Sequence, residues 1–164
     1  MDVDKLAKLY LEDVVTRSIR EPLPLYHRGE WWEYLGDRWG PLPQDTLDAR
    51  LRLWVAGRKV NPRTALVNNL LAQVRAIVTE DHRRDMPCWL DGGDGTDPDP
   101  AAVVAFRNGL LDIGQFLRDG TARLLDHTER WFSPSCLPYR YDPQAGCPRW
   151  LAFLAESLAD GPQI

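Results

Sequence analysis

The sequence predicts an α+β fold: a helix-rich single domain with short antiparallel β-hairpins. Apolar residues recur at helical spacing in four segments, whereas other segments alternate aromatic and polar residues or place short apolar runs on either side of turn residues. Strands and helices do not alternate along the chain, which argues against a parallel doubly wound sheet. The 164 residues suit one core, so residues 1–164 are expected to form one domain.

The first two elements are a helix and an aromatic hairpin. Apolar residues at overlapping helical positions predict an amphipathic helix over residues 4–19, ending before the prolines at 22 and 24. Residues 25–42 then predict a β-hairpin or short meander with turns at Arg28-Gly29 and Gly36-Asp37. Its aromatic residues are Tyr26, Trp31, Trp32, Tyr34 and Trp39.

Two helices are expected next. Asp45 or Thr46 is expected to cap the first, which ends at Gly57, a residue type that favours the end of a helix. Asn61-Pro62 predicts the start of the second, with Asn61 as N-cap and proline in the first helical position. Its apolar stripe consists of Val67, Leu70, Leu71, Val74, Ile77 and Val78.

The C-terminal half predicts a loop, short strands and a last helix. Residues 91–100 are turn formers and acids, which predict an exposed loop. Strands at 103–106 and 110–113 are expected to meet at a tight type I′ turn, Asn108-Gly109, and a turn at Asp119-Gly120 leads to a strand at 122–125. The last helix starts with Pro148 and ends at 160–162, and it carries Trp150, Leu151, Leu154 and Leu158.

Composition limits the function classes. The net charge of −4 argues against tight nucleic-acid binding by counterion release alone, so any such contact must be local. The 20 basic residues are 17 Arg and 3 Lys. Arg is the better fork for phosphate, but the base composition of the source genome produces the same bias. No apolar run approaches a membrane span, and the charged N-terminus lacks a secretory signal. With three cysteines, a cytoplasmic protein without a membrane partner is expected.

No motif for catalysis, metal binding or cofactor binding is present. The acids of residues 91–99 do not follow the calcium-loop spacing, and the three cysteines with His82 and His127 lack the paired spacing of zinc ligands. There is no phosphate-binding loop, and no serine has a Gly-x-Ser-x-Gly setting. We therefore expect no catalytic residue, metal or cofactor in this chain, and buried cysteines that act as small apolar residues.

Two basic clusters are the candidates for nucleic-acid contact. Arg58, Lys59 and Arg63 surround a helix-helix connection, and loops near helix N-termini suit phosphate. Arg83 and Arg84 follow the long helix. The aromatic hairpin could stack single-stranded bases if its rings were exposed, although core positions are the more common place for tryptophan.

Two C-terminal stretches carry a family resemblance. Phe106-Arg107-Asn108-Gly109-Leu110-Leu111-Asp112-Ile113 and Tyr141-Asp142-Pro143-Gln144-Ala145-Gly146-Cys147-Pro148-Arg149-Trp150 resemble the domain that precedes the superfamily 3 helicase in phage and plasmid primase-helicases, a family that includes the poxvirus-type enzyme. The resemblance spans residues 25–158, and the acidic insert within 85–102 departs from it. Its structural motif residues are Trp39, Asn108, Gly109, Tyr141, Asp142, Pro143, Cys147, Pro148 and Trp150.

The resemblance implies an accessory domain of DNA replication that links a primase to a ring helicase. Such a domain is part of the collar of a hexamer, makes weak, sequence-independent contacts with single-stranded or duplex DNA, and associates through a downstream helicase module. ATP hydrolysis would belong to that module, so this chain is expected to be a fragment or a stand-alone relative, and not itself an enzyme.

Two other classes remain open. A protein-protein interaction module without DNA affinity predicts a large exposed apolar patch, for example around Trp131 and Phe132. A small hydrolase predicts a pocket with His82 or His127 beside a carboxylate.

Overall fold

Helices and short strands are mixed along the chain as the sequence predicts. The computed structural model describes residues 2–17, 23–80 and 83–159. Within these residues the helices are α1 (Val3–Arg17), α2 (Gln44–Gly57), α3 (Thr64–Val78), α4 (Ile113–Asp119) and α5 (Pro148–Ala159). The strands are β1 (Leu25–His27), β2 (Glu30–Tyr34), β3 (Trp39–Pro41), β4 (Cys88–Trp89), β5 (Val103–Phe106), β6 (Gly109–Asp112), β7 (Arg123–Leu125) and β8 (Trp131–Phe132). They form small antiparallel sheets, so the α+β prediction is confirmed.

The first core is helical. α1, α2 and α3 bring together apolar side chains at helical spacing, including Leu6, Leu51 and Leu70, each at most 1% exposed. The predicted stripe of α3 is buried at Val67, Leu70 and Val74 and partly buried at Leu71 and Val78, whereas Ile77 is 46% exposed.

The aromatic segment forms the three-stranded sheet β1-β2-β3, as predicted. Arg28 and Gly29 both have positive φ, 51° and 90°, which is the backbone of a type I′ hairpin turn. Successive residues of a strand point to opposite faces, and both faces of β2 are covered. Trp31 belongs to the helical core, whereas Trp32 packs with Trp39 and Phe132 on the other side.

The first turns of α2 and α3 differ from the prediction. In α2 the amides of Thr46 and Leu47 donate to the Pro43 carbonyl, so the helix begins at Gln44 and neither Asp45 nor Thr46 is its N-cap. In α3 the N-cap is Arg63. Asn61 accepts from the Arg63 amide at 2.8 Å, so Asn61 and Pro62 form a turn before the helix instead of its cap and first residue.

The turn of the β5-β6 hairpin differs from the predicted one. The two connecting residues are Arg107 and Asn108, because Phe106 pairs with Gly109, and Asn108 does not have positive φ. The type I′ prediction for Asn108-Gly109 is therefore wrong.

After β6 the chain enters α4, a helix that the sequence analysis did not predict. The buried Asp112 carboxylate accepts from the Gln115 amide at 2.8 Å. Gly120, expected in the turn that leads to β7, is the left-handed C-cap of α4.

The last helix, α5, starts at Pro148 as predicted, while its predicted end at 160–162 and residues 18 and 19 of the first helix lie outside the described residues. Much of its apolar surface is exposed, including Trp150 at 57% and Leu158 at 75%. Among the helices of residues 2–17, 23–80 and 83–159, none combines the length and the hydropathy needed to cross a membrane.

Candidate nucleic-acid interface

The connection between α2 and α3 has a defined backbone. The Lys59 amide donates to the Ala56 carbonyl at 2.9 Å and the Val60 amide to the Val55 carbonyl at 3.4 Å, which together form a Schellman motif. Lys59 occupies the left-handed position of that motif with φ 58°. Gly57, expected at the C-terminal cap position, is the last helical residue, and Arg58 is the C-cap.

Arg58 is engaged within the protein. Its guanidinium is hydrogen-bonded to Asp13 of α1 and lies 3.9 Å from the ring centroid of Trp54. The Trp54 indole donates to the same carboxylate at 2.9 Å. Arg58 therefore joins α1 to α2, and its charge is balanced by Asp13.

Lys59 and Arg63 are different, because both are exposed and neither makes an ion pair with another described residue. They flank the start of α3, whose first turn has no side-chain cap and no acidic residue. The connection is braced from α2 by Arg52, which donates to the Pro62 carbonyl at 3.2 Å and to Asp48 at 2.6 Å. A helix N-terminus carries partial positive charge and free amides. Lys59, Arg63 and the α3 terminus are together called the α2–α3 patch.

The second predicted basic pair contributes less. Arg84 binds Glu80 at 3.1 Å and donates to the carbonyls of Trp89 and Leu90, so it holds the chain before and after β4. Arg83 is exposed and has an interaction within the protein. Both residues follow the end of α3 at Val78 and are distant in sequence from the α2–α3 patch. The contacts of Arg84 are with its own chain, around β4.

The aromatic meander does not offer a stacking platform. Trp31, Trp32 and Trp39 are each at most 9% exposed, and the Trp39 indole donates to the Glu129 carbonyl at 3.1 Å. Tyr34 is half-buried and donates to the Gly36 carbonyl at 2.9 Å. Base stacking requires exposed rings, so this hypothesis is wrong for the meander.

The motif residues of the two C-terminal stretches meet through Asn108 and Tyr141. The Asn108 carboxamide donates to the Tyr141 carbonyl at 3.0 Å and accepts from the Tyr141 amide at 2.7 Å. The Phe106 ring lies 5.5 Å from the Tyr141 ring. The segment 137–141 is thereby fixed beside the β5-β6 turn.

Gly109 is required beside this contact. Its φ is 148°, and a Cβ there would collide with the Leu125 carbonyl oxygen and stand 2.9 Å from Cγ of Leu124. Only glycine lets β7 approach β6 this closely.

The rest of the second stretch is exposed. The Asp142 carboxylate accepts from the Gln144 amide at 2.8 Å, which shapes the turn that contains Pro143. Cys147 is exposed, so the expectation of buried cysteines is wrong there, while Cys88 and Cys136 are half-buried. Trp150 stacks on Phe153 of the same helix at 5.4 Å.

The acidic loop is held by one arginine, which the sequence did not indicate. Arg130 is hydrogen-bonded to Asp91 and, at 2.6 Å, to Asp97, and its guanidinium lies near the Trp89 ring. The hydrogen bonds from Arg130 lower the pKa of Asp91 below its ordinary value. The loop is therefore exposed as predicted, but it is pinned to the residue before β8.

In the described part of the chain, His127 does not have the carboxylate partner that the small-hydrolase alternative predicts. Neither ring nitrogen of His127 has a hydrogen-bond partner within the described ranges, so no carboxylate orients it. His82 lies outside the described residues.

The interaction-module alternative predicted an exposed patch around Trp131 and Phe132. Both residues are at most 2% exposed, so that location is wrong. They lie on β8, which pairs with β4 inside the core.

Comparison of the chain with protein-family models and with curated proteins gives no match. The resemblance to primase-helicases therefore stays a prediction.

Proposed function

We propose that this chain is an accessory domain of a DNA-replication primase-helicase of the phage and plasmid type, in which it makes weak, sequence-independent contacts with DNA next to a superfamily 3 helicase module. The proposal includes a cytoplasmic location and subunit association through that module. It rests on the sequence resemblance, and it assigns no catalytic step to this chain.

The observation that carries the proposal is the contact between Asn108 and Tyr141. The resemblance depends on two stretches that lie more than 25 residues apart, and a chance match to each would give no reason for them to touch. The Asn108 carboxamide bonds both backbone groups of Tyr141. This supports the view that the stretches belong to one structural motif.

The proposed DNA contact is the α2–α3 patch. Lys59 and Arg63 are exposed cations beside the uncapped start of α3. Lys59 stands in a left-handed position that glycine would occupy with less strain, so the charge is held there at a cost in stability. Two cations neutralise few phosphates, which fits weak binding in a protein of net charge −4. Six such patches in a ring would add through effective concentration.

The proposed contact is tested by following backbone amide signals in NMR spectra while single-stranded oligonucleotides of two unrelated sequences are added. Shifts should concentrate on residues 58–66 and should be similar for both sequences, because phosphate contacts carry no base information. Shifts confined to other surfaces would remove the α2–α3 patch from the proposal, and strong preference for one sequence would contradict a sequence-independent contact.

One observation favours the interaction module as a second candidate. α5 exposes Trp150, Leu151, Phe153 and Leu158 on a helix with only two charged residues, Arg149 and Glu156, among Pro148–Ala159. Exposed apolar surface of this kind is typical of a protein contact. A chain that binds no DNA at any salt concentration would favour this candidate.

A further inference from the structure

A second site is a cavity of about 810 Å³ between the β5-β6 hairpin and the segment 131–138. Its volume lies in the range of ligand pockets, roughly 300 to 1,000 Å³. The charged side chains on its wall are Asp37, Arg38 and Arg107, which give it a net charge of +1. The sequence did not indicate it, because the adjacent pair Asp37-Arg38 lies far from Arg107 in the chain.

Arg38 is fixed but keeps donors. Its Nη1 donates to both carboxylate oxygens of Asp37, at 2.9 and 3.1 Å. A guanidinium has five N–H groups, and within the described residues those on Nε and Nη2 make no hydrogen bond. Asp37 therefore orients Arg38 without using up its capacity to bind an anion.

Arg107 is fixed through its backbone. Its amide donates to the Tyr139 carbonyl at 3.0 Å, and the next residue, Asn108, is bonded to Tyr141. The Arg107 side chain is exposed and forms no ion pair in the part of the chain that the structure describes. Arg107 and Arg38 both line the cavity, together with Cys136.

The other polar groups on the wall are neutral. Ser133 Oγ accepts from the Ser135 amide at 3.3 Å, which leaves its own proton to donate. Burial, followed by the nearby Asp37 carboxylate, raises the pKa of the Cys136 thiol, so the thiol stays protonated near neutral pH. Val104 and the prolines of 134 and 138 supply apolar surface. The wall thus combines two cations, one carboxylate that is paired with Arg38, neutral donors and apolar contacts.

We propose that this cavity binds a nucleotide through its phosphate, with Arg38 and Arg107 on the phosphate and the apolar wall on the sugar and base. Guanidinium forks match phosphate geometry, and apolar surface with a few polar groups suits a nucleoside. A free nucleoside monophosphate and the terminal nucleotide of a 5′-phosphorylated DNA strand present the same chemistry. The site is separate from the α2–α3 patch, whose Lys59 and Arg63 are not on its wall.

Alkylation of cysteines in the wild-type chain tests the site directly. Cys136 lies on the cavity wall, while the exposed Cys147 does not, so Cys147 is an internal reference. Deoxynucleoside monophosphates should slow alkylation of Cys136 but not of Cys147, as read by mass spectrometry of the two peptides. The corresponding nucleosides without phosphate should protect far less. Equal protection by inorganic phosphate alone would overturn the nucleotide assignment, and no protection by any nucleotide would overturn the site.

Variants locate the phosphate contact. Arg107→Gln should weaken nucleotide binding by about tenfold or more, because it removes a charge-assisted hydrogen bond. Arg123→Gln, at an exposed residue of β7 that is not on the wall, should leave binding unchanged. Thermal unfolding of each variant shows that the fold is intact. Unchanged affinity in a folded Arg107→Gln chain would contradict the proposal.

The two sources of the nucleotide are separated by a third comparison. Binding to free monophosphates and to 5′-phosphorylated oligonucleotides, but not to unphosphorylated ones, supports a site for a strand end. Binding to free monophosphates alone supports a small-molecule site. In a Lys59→Asn/Arg63→Gln chain, deoxynucleoside monophosphates should protect Cys136 as well as they do in wild type. Failure of the nucleotide site and failure of the DNA contact in the α2–α3 patch are therefore distinguishable.

Discussion

Asn108 replaces a strand partner for Tyr141, since its carboxamide nitrogen donates to the Tyr141 carbonyl at 3.0 Å and its carboxamide oxygen accepts from the Tyr141 amide at 2.7 Å. The same segment continues a parallel pairing in which the Leu137 amide donates to the Ala105 carbonyl at 2.8 Å and the Arg107 amide to the Tyr139 carbonyl at 3.0 Å. Asn108 therefore extends the sheet past the end of β5 with a side chain.

Replacing Asn108 tests this relationship. Asn108→Ala leaves both backbone groups of Tyr141 without their partner, and we expect the free energy of unfolding to fall by about 1–3 kcal/mol in urea titrations. Asn108→Asp keeps the acceptor but places a carboxylate oxygen against the Tyr141 carbonyl where the donor stood, so it should not restore the lost stability. Asn68→Ala, at an exposed position of α3, is the matched control. A loss at Asn108 no larger than at Asn68 would show that the contact adds no stability.

Gly109 and Gly57 should respond in opposite directions to alanine. Gly109→Ala forces a Cβ against the Leu125 carbonyl at a φ of 148°, and we expect the free energy of unfolding to fall by several kcal/mol, on the order of 3. Gly57 is helical and a Cβ there meets nothing within 4 Å, so Gly57→Ala should stabilise by about 0.5–1 kcal/mol. Thermal and urea unfolding of both variants measure the pair, and equal losses would contradict the backbone argument.

Lys59→Gly should stabilise the chain while removing a charge. Relief of the left-handed strain at φ 58° is offset in part by the greater freedom of glycine in the unfolded state, so a gain of up to about 1 kcal/mol is expected in urea unfolding. Lys59→Ala removes the same charge without relieving the strain and should show no such gain. If the two variants have the same stability, the gain does not come from the backbone.

The raised pKa of Tyr34 predicts that the folded protein loses stability at alkaline pH. Burial, followed by the charges of Asp37 and Glu129, raises the pKa of Tyr34 to about 12. The folded pKa lies above the ordinary value of about 10, so this stability is complete below pH 10 and is lost as the pH rises toward 12. Tyr34→Phe keeps the ring beside Trp39, and its free energy of unfolding should fall less than that of wild type between about pH 10 and about pH 12. Parallel curves for the two chains would contradict the assignment.

Periodicity was sufficient to predict most elements, because helix and strand patterns depend on local spacing. The meander and the apolar stripe of α3 were predicted in this way, while the start of α5 was predicted from Pro148. α4 was missed because Ile113–Asp119 is shorter than two helical turns and has no buried residue, so it has no stripe to detect. Its cap, Asp112, could have been recognised as an N-cap residue before a helical stretch.

The site was harder to predict, because sequence shows charge but not its partner. Arg58 looked like Lys59 and Arg63, yet Asp13, 45 residues away, binds it. Arg130 has two acidic partners more than 30 residues before it. The hairpin turn was misplaced by one residue because Asn108 uses its side chain for Tyr141 instead of adopting positive φ.

The measurement that tests the central claim most directly is the binding of labelled single-stranded and duplex DNA by fluorescence anisotropy at two salt concentrations. Wild type is compared with Lys59→Asn/Arg63→Gln, whose asparagine tolerates the left-handed backbone, and with Lys5→Gln/Arg123→Gln, which removes the same charge at exposed positions elsewhere. A DNA-contacting accessory domain predicts weak binding that falls as salt rises and is lost in the first variant but not in the second. No binding by the wild-type chain at low salt, or equal loss in both variants, would contradict it.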